Sequence, residues 1–292
     1  GEFSDLDRNI KFANITTKDS TVNVLYSDGK AVKTAAVIIN SSKIVSASQK
    51  HITLGIRDPS FEVAGISNAD IIVSKTGKIA KVEKMTLLSI DEKLTNITSV
   101  ASNRNFTAIV TDEATLNVFG PDLRYSIAFY GKQITCTAIS FSFSTIVCGT
   151  VPDNIVYCSL FDAIKVNILA LGFTATHVAI TQSWGFVVAT GKSEGKGKTT
   201  YHYKVLTING KEVCSGNFKS EVTCITTWCD ENGFDFAAVG CDDGKVLICE
   251  AFCGFGVFAN SPFAKVNTLP RRLLSKVLSF SYFKPLNCVV AV

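Results

Sequence analysis

The stretch Gly191-Lys-Ser-Glu-Gly-Lys-Gly-Lys-Thr199 has the glycines, lysines and hydroxyl of a phosphate-binding loop. Such a loop cradles phosphate with backbone N–H groups, and it needs a glycine five residues ahead of its Gly-Lys-Thr glycine. That position is Lys192. The flanking residues read as two strands, so no helix N-terminus would meet the anion, and the stretch reads as a solvated hairpin tip. Gly254-Phe-Gly-Val-Phe-Ala259 imitates a dinucleotide fingerprint, but Pro262 follows soon after and no acidic residue lies where a ribose would need one.

The other chemistry-bearing types are scattered. The three histidines, His51, His177 and His202, fall on different predicted strands, and no nucleophile stands with a base and an orienting carboxylate. Asp242-Asp243 precedes Gly244 and reads as turn chemistry. Ten cysteines are present, yet none shows C-x-x-C spacing and most lie inside apolar runs, as Cys136, Cys148, Cys158, Cys224, Cys241, Cys249 and Cys288 do. That pattern predicts reduced core thiols and a cytosolic protein rather than disulfides or zinc. The expectation is therefore no catalytic residue, no cofactor and no metal. The sequons at Asn14, Asn40, Asn96 and Asn105 are no more than a chain rich in Ser and Thr produces by chance. A net charge of +4 is too mild to imply nucleic acid. No apolar run approaches 18 residues, so no membrane-spanning helix is expected. Gly1 in place of a start methionine predicts a processed, tagged or excised chain.

The elements that must carry these residues repeat. An apolar strand, a Ser- or Asn-bearing turn, a second apolar strand ending in a small residue and a third alternating strand recur. The units start near Val37, Ile71, Val100, Ala138, Val178, Ile225 and Val277. Outer segments such as Tyr125-Ser-Ile-Ala-Phe129 and Glu212-Val-Cys-Ser-Gly216 complete units of about 40 residues, the period of propeller blades with four strands each. With 292 residues, 47% hydrophobic and 18% charged, a large core is affordable. The tail Leu286–Val292 also reads into the head Gly1–Phe12 much as Phe234–Gly240 reads into Cys241–Ile248. The expected fold is all-β, a single seven-bladed propeller over 1–292. Its closing blade draws inner strands from 273–292 and outer strands from 1–30, namely Asn9–Ile15 and Ser20–Leu25, which leaves no open sheet edge. A β-sandwich or two small β domains are the alternatives.

Gly240-Cys-Asp-Asp-Gly-Lys-Val-Leu-Ile248 resembles the strand-turn-strand heart of a WD repeat, with weaker echoes at Thr111–Val118, Thr150–Val156 and Asp5–Phe12. No Trp-Asp or Gly-His dipeptide occurs, so the Asp–His–Ser/Thr–Trp hydrogen-bond set of strong WD repeats is not carried over. The segments Ile180–Val187, Val205–Val213 and Val222–Trp228 resemble the C-terminal WD propeller of BEACH-domain proteins, the neurobeachin and Beige group. That resemblance implies a non-catalytic interaction scaffold in vesicle trafficking and membrane dynamics, cytoplasmic or peripheral on endomembranes. A stand-alone WD-like adaptor is the alternative, and a propeller hydrolase the distant third.

Two inserts would open on one face, Gly191–Thr200 and Asn260–Leu273. Their cations, Lys192, Lys196, Lys198, Lys265, Arg271 and Arg272, form the candidate partner-binding set. It would suit an acidic peptide or protein, or anionic lipid head groups engaged by the parent protein; the other reading is solvated loops.

Overall fold

The structure is a computed structural model. It describes residues 10–28, 32–40, 43–51, 63–66, 71–74, 79–81, 86–88, 94, 96–103, 105–120, 124–129, 132–140, 142–161, 166–251, 267–268, 276–284 and 288–291. Among them every regular element of the sheets is antiparallel β, and no helix is long and apolar enough to cross a membrane. The contacts divide the chain into two units, Gly1–Ile97 with Leu278–Val292, and Thr98–Val277.

The first unit opens with the sheet β1 (Phe12–Lys18), β2 (Thr21–Ser27), β3 (Val32–Asn40) and β4 (Lys43–His51), paired in that order. A second sheet holds β5 (Val63–Ile66), β6 (Ile71–Ser74), β7 (Ile79–Lys81) and β8 (Thr86–Leu88). The second unit contains four sheets in succession. They are β9 (Ile97–Ser102) to β12 (Arg124–Ala128), with β10 (Thr107–Thr111) and β11 (Thr115–Phe119) between; β13 (Ile134–Ser140), β14 (Thr145–Thr150), β15 (Asn154–Ser159) and β16 (Val166–Ala170); β17 (Thr174–Ile180), β18 (Val187–Gly195), β19 (Lys198–Leu206) and β20 (Glu212–Phe218); and β21 (Val222–Cys229), β22 (Asp235–Cys241), β23 (Val246–Ala251) and β24 (Asn267–Thr268). The pair β25 (Phe280–Phe283) and β26 (Cys288–Ala291) returns to the first unit.

From Val100 onward the sequence repeats fall on these strands in the expected order. Nearer the N-terminus the phase is different. Val37 lies in β3 and Ile71 in β6, the third and second strands of their sheets rather than the first. An apolar–turn–apolar pattern marks any hairpin, so it does not say which hairpin of a four-stranded unit it marks. The expected closing blade is also corrected. Lys18 pairs with Thr21 across a two-residue turn whose Asp19 has φ of 52°, and β2 then pairs with β3 along its length. Asn9–Ile15 and Ser20–Leu25 are thus used up in the first sheet, except Asn9, which lies outside the described residues. Nor are there seven equal blades among the described residues. Five sheets are full-sized, β5–β8 has strands of only three or four residues, and β25–β26 is a two-stranded pair. The N- and C-terminal segments do meet within the first unit. The Thr17 hydroxyl donates to the Tyr282 carbonyl at 2.6 Å, and Phe283 shares a core with Ile15, Val22, Val24 and Tyr26.

In the second unit the sheets pack face to face. Ala108, Val110, Leu116 and Val118 meet Ile134, Ile146, Cys148 and Val156; in turn Val147, Ile155 and Tyr157 meet Ala175, Val178, Val187 and Ala189. The second strands β10 and β14 are buried almost end to end because both their faces are covered. A repeated device joins the sheets at their innermost strands. Each of β13, β17 and β21 carries a bulge at one threonine: Thr135, Thr176 and Thr223. At Thr135 and Thr223 the extra residue turns its hydroxyl toward the next part of the chain, whereas Thr176 Oγ1 donates to the Thr190 carbonyl of its own sheet at 3.4 Å. Thr135 Oγ1 donates to the Ala175 carbonyl at 2.5 Å, and Thr223 Oγ1 donates to the Val277 carbonyl. The residue after the bulge faces a position with no room. Cys136 opposes Gly149, where an added Cβ would lie 2.8 Å from the Cys136 sulfur and 2.7 Å from the Ala175 Cβ. Cys224 opposes Gly240, where it would lie 2.9 Å from the Cys224 sulfur and 2.5 Å from the Val277 Cβ. In the sheet between them, His177 opposes buried Thr190.

Gly240→Ala is therefore expected to cost about 2–4 kcal/mol, since the obstruction is the β-branched Val277, whose backbone N–H is bonded to the Cys241 carbonyl. Gly233→Ala, with open space around it but φ of 79°, should cost only about 1 kcal/mol. Urea midpoints of the two variants check the order.

The thiols of this device give a pH dependence. Burial pushes Cys136 up to about 11 and Cys224 and Cys158 up to about 12. Each folded pKa lies above the unfolded one, so the stabilisation is fully present below about pH 8.5 and is lost as pH rises through the folded values. The unfolding free energy is expected to be flat from pH 7 to 8 and to fall between pH 9 and 11. A flat profile to pH 11 would contradict the packing described.

Candidate interaction surface

The basic residues of Gly191–Thr200 do not form a loop. β18 and β19 continue as a regular ladder to Gly195 and Lys198, and the turn is only Lys196-Gly197. Both turn residues have positive φ, 51° and 74°, the pairing that matches the right-handed twist of flanking strands. The phosphate-loop resemblance thus ends in a hairpin, as its sequence context predicts. Lys196 and Lys198 are exposed near its tip, and Lys192 lies 3.7 Å from Glu221 at the start of the next sheet. With both partners of that pair exposed, it contributes a few tenths of a kcal/mol. The structure brings Lys192, Lys196 and Lys198 together on one hairpin. Lys265, Arg271 and Arg272 lie outside the described residues, as does Gly254–Ala259.

His177 and His202 sit within the packing of one sheet. His202 Nε2 is 2.7 Å from Ser193 Oγ, and its ring stacks on Phe173 at 5.2 Å. This is a nucleophile–base distance, but no carboxylate orients the imidazole among the described contacts. Burial pushes His177 below its usual pKa, outweighing a hydrogen bond to the Thr223 backbone and the Glu221 charge. Asp243 accepts from the Lys245 backbone N–H at 3.2 Å beside Gly244 at φ 80°, which is the turn chemistry expected. Among the described residues no group of His, Cys, Asp or Glu is arranged to hold a metal ion. Among the described residues Cys136, Cys148, Cys158, Cys224, Cys229 and Cys241 are free thiols.

The opposite strand ends carry a surface the sequence reading passed over. An open groove of about 770 Å³ lies between the β13–β16 and β17–β20 sheets, lined by Phe143, Tyr157, Val166, Asn167, Ile208 and Asn209. Its rim strand β16 is the outer edge of its sheet and exposes Val166 and Ile168, 38% and 47% accessible, with Phe161 just before it at 54%. An uncharged apolar edge is one that proteins ordinarily blunt with charge or cover. One signal was available: Val166-Asn-Ile-Leu-Ala170 alternates without a charged residue, whereas β12 and β20 carry Arg124 and Glu212. The exposed Trp184 and Phe234 were missed because each falls in a turn, where the sequence pattern predicts only polar filling.

No protein-family model matches the sequence, and no curated protein matches it. Solved structures do. A chain from the crystal structure of the mitotic checkpoint complex superposes with a TM-score of 0.67 at 13% identity, over 98% of this chain and 88% of that one. U3-55K gives 0.66 at 10% identity, covering 98% and 89%. The WD40 repeats of RRP9 give 0.66 at 10% identity, covering 98% and 88%. At these identities the likeness is one of fold, and the fold is an all-β propeller of the WD40 kind.

The hairpin geometry has a measurable consequence. Lys196→Asn is expected to raise stability by about 0.5 kcal/mol, because Asn tolerates positive φ, while Lys196→Val should lower it by about 1 kcal/mol. Paired urea melts distinguish this turn from an irregular loop, in which both changes would be neutral.

Proposed function

We propose that the chain is a non-catalytic protein-interaction scaffold, one propeller domain over 1–292. The observation that carries this reading is the β16 edge: an uncharged strand with exposed Val166 and Ile168 beside an open groove, on a fold whose solved examples include a chain of a multiprotein complex. An exposed edge offers backbone N–H and C=O groups to a partner strand, and the apolar side chains supply contact area.

The finer assignment is a BEACH-type scaffold in membrane trafficking, cytoplasmic or peripheral on endomembranes. The sequence resemblance in Ile180–Trp228 supports it, and the free buried thiols agree with a reducing compartment. Sequencing the parent gene upstream of Gly1 tests it, since a BEACH domain directly ahead would be required. The basic hairpin supports engagement of an acidic peptide or anionic head group by Lys192, Lys196 and Lys198, with Lys265, Arg271 and Arg272.

Val166→Asp with Ile168→Asp tests the scaffold reading. Both sites are exposed, so the thermal melt should hold. Proteins that co-purify with the tagged chain and are identified by mass spectrometry should drop severalfold in the double variant. An unchanged set would overturn this surface as the docking edge. For the hairpin, Lys196→Glu with Lys198→Glu should abolish flotation with phosphatidylserine vesicles if lipid is the ligand, and leave it unchanged if it is not.

A further inference from the structure

Trp184 and Phe234 are exposed at 52% and 37%, on the turns between β17 and β18 and between β21 and β22. Scattered exposed aromatics are ordinary. These two differ in how their backbones are held. The Ser183 and Trp184 N–H groups donate to the two carboxylate oxygens of Asp235, each at 2.9 Å. The Phe234 N–H donates to Asp230 Oδ1 at 2.8 Å, and the Asn232 N–H donates to the same oxygen at 2.9 Å. Each aromatic thus sits on a backbone amide fixed by an aspartate, and Asp235 reaches across from the neighbouring sheet to do so.

Asp235 is 0% exposed. Withdrawing a carboxylate from water costs several kcal/mol, and two charge-assisted hydrogen bonds offset part of it. The result is a clamped turn with an indole on its outside. Further bonds tighten it. Thr181 and Phe186 exchange backbone bonds through the Thr181 N–H and hydroxyl, both at 2.8 Å, and Thr227 Oγ1 donates to the Ile180 carbonyl at 3.0 Å. Gly185, at φ 68°, lies against the Phe143 ring. Rigid, exposed aromatics lose little freedom on binding, which is why tryptophan dominates interface energetics.

The charges on the two turns themselves have one sign. The turns 181–186 and 229–234 contain Asp230, Glu231 and no lysine or arginine. The cations Lys192, Lys196 and Lys198 lie toward the far ends of β18 and β19. Lys211, on the β19–β20 turn, is the one cation of that sheet at the Trp184 end.

We propose that Trp184 and Phe234, flanked by Asp230 and Glu231, dock an arginine-bearing peptide segment of a partner protein. One guanidinium stacks on the Trp184 indole, an apolar neighbour covers Phe234, and a second cation meets the carboxylates. Arginine fits better than lysine because its planar group stacks and hydrogen-bonds together. This rests on the scaffold reading above and names the partner chemistry at a second place on the fold.

The probe is an acetylated nonapeptide, Gly-Ser-Gly-Arg-Leu-Arg-Gly-Ser-Gly, titrated into the full chain while tryptophan emission is followed. Trp228 is buried and stacked on Phe236, so the exposed Trp184 carries the signal. A fluorescein-labelled copy read by anisotropy extends the assay to variants without Trp184. Binding should saturate, weaken with salt, and weaken at least about threefold when both arginines become lysine. Trp184→Ala should weaken it about tenfold with the thermal melt unchanged, Trp184→Phe should restore part of the loss, and Asp230→Asn with Glu231→Gln should weaken it severalfold. No saturable binding, equal binding by Trp184→Ala, or equal binding of the peptide with glutamate in place of arginine would overturn the proposal. If the peptide fails while the Val166/Ile168 variant still loses its identified partners, only this inference falls. If that variant keeps them, the docking edge falls instead.

Discussion

The bulged threonines Thr135 and Thr223, whose hydroxyls cross to the next packed segment, are the constraint on which the second unit depends. A sheet twisted over four strands has no intrinsic reason to stop at one distance or angle from the next sheet, since apolar contact is non-directional. A hydroxyl that must reach a particular carbonyl removes that freedom. Thr135 to Ala175 and Thr223 to Val277 are such bonds, and Thr17 to Tyr282 is their counterpart in the first unit. The bulge lets the hydroxyl leave the pleat without breaking the ladder on either side. Gly149 and Gly240 then admit the neighbouring sheet to a separation that a Cβ would forbid. Direction comes from the threonine and closeness from the glycine.

With the inner strands fixed, the strand ends are free to differ, and they do. One end of the Thr174–Phe218 sheet extends as a lysine-bearing hairpin that leaves the body as regular β-structure. The other end carries short turns in which acidic side chains satisfy backbone donors and aromatic rings face solvent. The same scaffold therefore presents a basic extension and an acidic-aromatic surface at opposite strand ends. A charged ligand attracted by one end is repelled by the other.

Much of this was legible in the residues. Ile134-Thr-Cys, Ala175-Thr-His and Val222-Thr-Cys repeat at the bulges, and small residues end the second strands in Val147-Cys-Gly149 and Val239-Gly240. Period and strand order from Val100 to Ile248 follow from them. The phase of the first two units did not, because Asn40-Ser-Ser-Lys43 and Lys75-Thr-Gly-Lys78 signal hairpins without saying which pair of strands they join. Closure through a sheet shared between the two ends rested on likeness of pattern, and it failed because β2 pairs along its whole length with β3, which spends the N-terminal hairpin in a sheet of its own. Of the candidate site, the lysines of 192–198 were found by composition, but their regular hairpin was not. The clamp on Trp184 was invisible, since Asp235 lies about fifty residues along the chain and only folding brings it there.

Amide hydrogen exchange followed by mass spectrometry on the native chain tests the central claim most directly. If threonine bulges and facing glycines hold the unit together, amides of β13, β17 and β21 exchange only through the slowest openings, while those of the outer strands β16 and β20 exchange orders of magnitude faster. Equal protection of inner and outer strands, or earlier exchange at Thr135–Ala138 and Thr223–Thr226 than at Val166–Ala170, would contradict the account.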